Sequence, residues 1–314
     1  MDAVIGAGMG FPGPVQPDGY VEVCVNLGWR DLNPQKILSE LLDGMPVRSG
    51  NDANVAALGE MWQGGGKGCH DIVMVTLGTG VGGGVVHDQK IVAGRHGLGG
   101  EIGHIHIREG EKETCNCGGH GCLEQVASAT GIAREARRKM VAKPDASVMR
   151  AYGDAITAKD VLDAAKAGDS LALEVMDTVC YYLGWALATI SMTVDPEIFV
   201  IGGGVSKAGT FLTDWIDRYY RELTPISENK GEVRLATLGN DAGIYGAART
   251  DLKIRRLVLS DRVQGKWSGR LKEIEIEKRP DMTKICCRQE ETPERSSIRG
   301  NYEKSMCKIT IKQI

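Results

Sequence analysis

The order of apolar segments predicts an α/β fold of layered helices with mixed sheets. Three observations carry that prediction. Apolar runs of strand length alternate with stretches of helical period. The strongest run, IVMVTL, passes directly into a glycine-rich turn. And 314 residues with 42% hydrophobic content suffice for two ordinary cores, so two lobes are expected.

In chain order, residues 4–9 and 21–25 read as strands and residues 33–42 as a helix. Residues 51–62 read as a second helix, with Asn51 or Asp52 as its N-cap, and residues 72–77 as a buried strand. VVHDQKIVAG gives two short β segments about a polar turn. Helical stretches follow from Ser128 to about Arg150, then over 158–167 and 171–193. Residues 197–201 form a strand running into Gly202-Gly203-Gly204, and residues 215–222 a last helix. The apolar run at 179–194 is short for a membrane span and is read as a buried core helix, so no membrane partner is expected. The start, Met1-Asp2, has no basic region of a signal peptide, and nine cysteines spread over 314 residues do not make a secreted disulfide framework, so a cytoplasmic protein with a thiol cluster is expected.

From Thr250 to Ile314 the composition changes. This stretch has 16 Lys/Arg against 10 Asp/Glu and three of the chain's 42 glycines. Without a sustained amphipathic period it reads as a basic, poorly specified tail, and with few aromatics it does not read as a nucleic-acid surface. The division expected is therefore 1–50 as part of a first lobe, 51–249 as a second lobe, and 250–314 as the tail.

Four stretches carry chemistry. TLGTGVGGG has the glycine spacing of a dinucleotide fingerprint, but a β segment follows it instead of a helix, and no Gly-Lys-Ser/Thr closes it as a P-loop. It is either a tight turn or a turn whose backbone N–H groups converge on an anion. In SGNDANVAALGEMW, Asp52 is either a helix cap or a carboxylate placed to take a proton from a hydroxyl nucleophile. In GRHGLGGEIGHIHI, glycines crowd Glu101 and His104, as in a solvated hairpin or in a loop that approaches a small ligand. Cys115, Cys117 and Cys122 with one histidine supply a closed Cys₃His set for structural zinc, with His104, His106 and His120 as rivals for the fourth place.

GFPGPV (10–15), VNLGW (25–29), NDANVAALGE (51–60), TLGTGVGGG, GLGGEIGHIHI, CNCGGHGCLEQVAS (115–128) and IGGGVS (201–206) together resemble the ROK family, and within it the bacterial glucokinases. The resemblance implies a two-lobed actin/hexokinase-like ATPase fold, with sugar bound between the lobes and ATP above it. It implies Asp52 as general base and Asn51, Asp52, Glu101, His104 and Glu124 as sugar-binding residues. It also implies zinc on His104, Cys115, Cys117 and Cys122, and a homodimer or higher homo-oligomer. The nucleotide, with Mg²⁺, would meet Gly78, Thr79, Gly80, Gly82 and Gly83, with Gly202, Gly203 and Gly204 near the adenosine. Other hexoses (N-acetylmannosamine, N-acetylglucosamine, mannose, fructose) and a sugar-sensing repressor are the alternative functions. The family's Asp-x-Gly-Gly-Thr phosphate loop does not occur in this chain. The expectation is therefore an incomplete first lobe, weak glucose binding, very low turnover, and an exposed edge at the strand 4–9 that favours association.

Overall fold

The computed structural model describes residues 6–24, 27–250, 273–274 and 308–310. The first layer is built from β1 (Ala7–Phe11), the hairpin β2 (Val21–Cys24) and β3 (Trp29–Leu32), α1 (Pro34–Leu41) and β4 (Val47–Asn51). β1 and β4 are parallel, in register from Ala7 opposite Val47 to Phe11 opposite Asn51. Asn33 caps α1 by accepting from the Lys36 N–H at 3.0 Å, and Pro34 takes the first helical position, where no N–H is needed. Phe11 and Trp29 meet edge to face at 5.3 Å and anchor a small separate core with Val21 and Leu38.

α2 (Asp52–Gln63) follows β4 without a loop. The second sheet comprises β5 (Ile72–Leu77), β6 (Val81–His87) and β7 (Lys90–Ile91), joined after the helices α3 (Glu124–Ala127), α4 (Ala129–Ala142), α5 (Ala158–Lys166) and α6 (Ser170–Val194) by β8 (Ile198–Gly202). α7 (Thr210–Glu222) and β9 (Glu232–Leu235) complete it in the order β7-β6-β5-β8-β9. The sheet is mixed: β6 is antiparallel to β5, and β8 and β9 are parallel to it. Its main core lies under α4 to α7. Thirteen residues of the 25-residue α6 are buried, which fits the reading of residues 179–194 as core. The helical period expected up to Arg150 breaks earlier: α4 stops at Ala142, ahead of Pro144, and residues 148–155 form 3₁₀ turns.

α8 (Ala242–Thr250), absent from the sequence reading, returns to pack on α2 and β1, so α2 and α8 form the layer between the two sheets. Two short segments of the tail are described. β10 (Glu273–Ile274) pairs with β11 (Lys308–Thr310), and β11 runs antiparallel to β1, with Gly8 opposite Thr310. The expectation of an exposed edge at residues 4–9 is thus corrected: β1 has β11 on one side and β4 on the other. The rest of the tail, and residues 4 and 5 of that expected strand, lie outside the described residues.

Candidate active site and metal cluster

The site begins where β4 turns into α2. Asn51 is 9% exposed, and its side-chain oxygen accepts from the N–H groups of Ala53 (3.0 Å) and Asn54 (3.1 Å). The helix cap is therefore Asn51, and its amide also donates to the Gly13 carbonyl at 3.2 Å. That leaves one N–H of the Asn51 amide for another partner. Asp52, one residue on, is exposed, and accepts from the Ala53 N–H at 2.8 Å. Water reaches its carboxylate, but surrounding protein atoms displace enough of it to push the pKa above the ordinary carboxylate value, against the pull of two backbone N–H groups.

β6 lies between α2 and the loop carrying Glu101 and His104. A Cβ on Gly84 would stand 2.7 Å from the Ala53 carbonyl oxygen, and one on Gly83 would stand 2.1 Å from Ile102. The absence of side chains there lets both neighbours close on the strand from opposite sides. Asn54, 3% exposed, ties them together: its amide donates to the Gly99 carbonyl at 2.9 Å while its oxygen accepts from the Val85 N–H at 3.4 Å. Glu101 and Asp52 consequently feel one another. Burial is the main cause that raises the Glu101 pKa, His104 opposes it, and the charges of Asp52 and Glu124 add to it. Four groups from three separate stretches of the chain thus share one electrostatic neighbourhood.

The glycine turn after β5 meets the same group. The Glu124 carboxylate accepts from the Val81 N–H at 3.0 Å, and a Cβ on Gly80 would lie 2.2 Å from that same Glu124 oxygen. The turn is closed by the Gly78 N–H on the Gly80 carbonyl at 2.9 Å, and Thr130 donates to the Thr79 carbonyl at 3.1 Å. At the end of β8, Gly203 takes φ +84°, and a Cβ there would come within 2.5 Å of the Leu77 carbonyl oxygen. The glycine turns at 78–83 and 202–204 therefore adjoin at the carboxyl ends of two parallel strands, where α/β sheets place their ligands.

Beside these lies a cluster of His104, Cys115, Cys117 and Cys122, whose ligand atoms all lie within 4.8 Å of one another. The Cys117 and Cys122 sulfurs are 3.6 Å apart, and the Cys115 sulfur is 3.7 Å from His104 Nδ1. A tetrahedron with bonds of about 2.3 Å has edges of about 3.8 Å, so both separations suit four-coordinate zinc. Burial raises the Cys115 thiol pKa and, helped by the other two thiols, pushes Cys122 up to about 12, whereas the Gly119 N–H lowers that of Cys117. The rival histidines are engaged elsewhere: His106 with the His120 carbonyl (2.8 Å) and Glu109 (3.2 Å), and His120 with Thr114 (3.3 Å). Sequence reasoning missed Asn54 and Gln125; the latter accepts from the Cys122 N–H at 3.1 Å and donates to the Glu113 carbonyl at 2.9 Å. Both are polar residues on the buried face of a helix, which is the signal that could have found them.

The ROK family model matches residues 1–252. A glucokinase from Halalkalibacterium halodurans is 47% identical over 247 residues, covering 77% of this chain and 74% of that protein. A glucokinase from Thermotoga maritima is 38% identical over 77% of each chain. The crystal structure of a ROK family glucokinase from Streptomyces griseus, in complex with glucose and AMPPNP, superposes with a TM-score of 0.66 at 35% identity, covering 79% of this chain and 82% of that one. The fold is accordingly the actin/hexokinase-like one. With the family model matching most of its length and a relative at this level of identity, the chain belongs to the ROK family.

Proposed function

We propose that this protein is a sugar kinase that transfers the γ-phosphoryl group of ATP to glucose. The observation that carries the reading is the convergence of Asp52 with Glu101, His104 and Glu124 beside two glycine turns, in a chain 47% identical to a glucokinase. Asp52 would accept the proton of the sugar's primary hydroxyl as that oxygen attacks the γ-phosphorus and the bond to ADP breaks. Its raised pKa brings it closer to a proton acceptor's working range. Asn51, Glu101, His104 and Glu124 would hold the other hydroxyls and fix the angle of attack. N–H groups of the 78–83 stretch other than those of Gly78 and Val81, which are already engaged, would receive the phosphates of Mg²⁺-bound ATP, with 202–204 toward the adenosine.

Zinc fits the His104, Cys115, Cys117 and Cys122 cluster by donor type and spacing. Its contribution there is structural: a closed four-ligand site fixes the loop. His104 Nδ1 faces the sulfurs, so the orientation of the ring is set and Nε2 is left for a sugar hydroxyl. The division into lobes at 1–50 and 51–249 with a tail, a homo-oligomeric state and a cytoplasmic location belong to the same reading. Calorimetry across glucose, mannose, fructose and the two N-acetyl sugars tests the sugar half, and glucose is expected to bind best. No binding of any hexose would overturn the reading. ADP release in a coupled assay tests the transfer half.

A further inference from the structure

Glu60, in the last turn of α2, is fully buried. A carboxylate is seldom left in such a place without partners, and this one is bound from two directions. Oε2 accepts from the Gly65 N–H at 2.7 Å and the Thr237 N–H at 3.1 Å, and Oε1 accepts from the Leu238 N–H at 2.9 Å. The loop after α2 closes on it because it lacks side chains: a Cβ on Gly64 would stand 1.9 Å from Oε2, and one on Gly65 would stand 2.3 Å from the Leu235 carbonyl oxygen. Glu60 thereby joins the end of α2 to a segment 177 residues further along the chain.

That segment, residues 236–241, crosses from β9 to α8. β9 runs parallel to β8, with Leu235 opposite Ile201, so the crossover leaves the sheet at the same end as the turn 202–204. The two are in contact: the Ala236 N–H donates to the Ile201 carbonyl at 2.9 Å, and a Cβ on Gly202 would stand 3.2 Å from that of Ala236. The crossover carries the exposed polar residues Thr237, Asn240 and Asp241. Asp52 begins the same helix as Glu60, but eight positions and about 12 Å away, so Glu60 has no part in the reacting groups. β9 is an edge strand, and the crossover beyond it is fixed from α2. We propose that Glu60 is a positioning residue for the nucleotide: it holds residues 236–241 ready-formed as a wall beside 202–204, against which the adenosine settles without further ordering. The proposal rests on the kinase reading given above.

Calorimetry with ADP and Mg²⁺ and, separately, with glucose tests it on the full chain, Glu60→Gln and Glu60→Ala, each confirmed folded by circular dichroism. Glutamine keeps one acceptor oxygen but turns an NH₂ group toward the N–H groups the other oxygen received, so part of the crossover is released. A crossover in place about one-tenth of the time weakens apparent affinity about tenfold. ADP is therefore expected to bind about tenfold more weakly to Glu60→Gln, and more weakly still to Glu60→Ala, with glucose affinity unchanged. Unaltered ADP affinity overturns the proposal, and so does a parallel loss of both ligands, which a merely structural role would give. Should the variants fail to fold, hydrogen exchange of the wild type decides. At equal saturation, ADP should slow exchange of the Thr237 and Leu238 amides more than glucose does, and equal slowing overturns the proposal. A wild type that binds glucose but no ADP overturns the nucleotide half of the kinase reading and this proposal with it, whereas wild-type binding of ADP that the variants share overturns this proposal alone.

Discussion

Replacing Gly59 by alanine sets two effects of opposite sign against each other. Gly59 is inside α2, where alanine gains about 1 kcal/mol of helix propensity. Yet its Cβ would stand 2.0 Å from the Ala242 carbonyl oxygen, a backbone atom of α8 that no rotamer change can move. Ordinary contact begins at 3.4 Å, so the helices must part by roughly 1.4 Å, and overpacking of this kind costs about 1–3 kcal/mol before lost dispersion along the seam is added. The steric effect wins, and the net loss is about 2 kcal/mol, or about 5 °C in Tm for a domain of this size. Gly243 is the internal control: it lies in α8, nothing stands within 4 Å of its Cβ position, and alanine there should raise stability by about 0.5 kcal/mol. Because α2 begins at Asp52, displacing the helix by about 1 Å should also cut turnover by about 10²-fold at temperatures where the variant is folded. Thermal melts and urea titrations of Gly59→Ala, Gly243→Ala and the wild type decide it. A Tm for Gly59→Ala at or above that of the wild type would refute the crossing geometry.

Asp52→Asn should lower turnover by about 10² to 10⁴ with little change in glucose affinity; unchanged turnover would reduce Asp52 to a residue of the helix start. The pH profile of kcat/KM should fall on the acid side as Asp52 takes up its proton, at a pH above the ordinary carboxylate range because its pKa is raised, and the limb should vanish from the residual activity of Asp52→Asn. Metal analysis should find one zinc per chain, and Cys122→Ser should lose both the zinc and several degrees of Tm; full zinc retention would remove Cys122 from the ligand set. Asn54→Ala, by breaking the Gly99 and Val85 bonds, should cost about 2 kcal/mol of stability and raise KM for glucose more than it lowers kcat. Equal falls in kcat and kcat/KM would point to a role in the reacting geometry itself.

Much of the fold was legible in the chain because its segments differ in period. Residues 72–77 and the α6 region were found by apolar runs, and α2 by its cap. β4 escaped because VRSGN has little apolar alternation and is a strand through its pairing with β1. β9 escaped similarly: EVRL lies at the sheet edge, where only alternate residues need burial. α8 was hidden by its two glycines, which lower helix propensity, although Gly246 is required for the close crossing with α2, where a Cβ would stand 1.6 Å from the Val55 carbonyl oxygen. In the site, the cysteines stood out by residue type and spacing, whereas Asp52, Glu101 and His104 were candidates by type whose roles followed from the family resemblance. Asn54 did not stand out, because its importance lies in partners 31 and 45 residues away that no local pattern reveals.

The same distinction explains how three sequence-remote constellations become one site. Each is attached to β6 or to the turn before it by a contact that a methyl group would prevent: the α2 start at Gly84, the Glu101 loop at Gly83, and Glu124 at Gly80. Glu124 is two residues from Cys122 and accepts from the Val81 N–H, so the metal cluster and the glycine turn move as one piece. His104, in the loop that Asn54 holds through Gly99, closes the circuit by facing the sulfurs with one ring nitrogen. Loss of the metal would then loosen Glu124 and His104 together, while Asp52, on its separately capped helix, would keep its place. A chelated protein should for this reason lose sugar affinity before it loses the capacity of Asp52 to accept a proton, and KM should rise further than kcat falls.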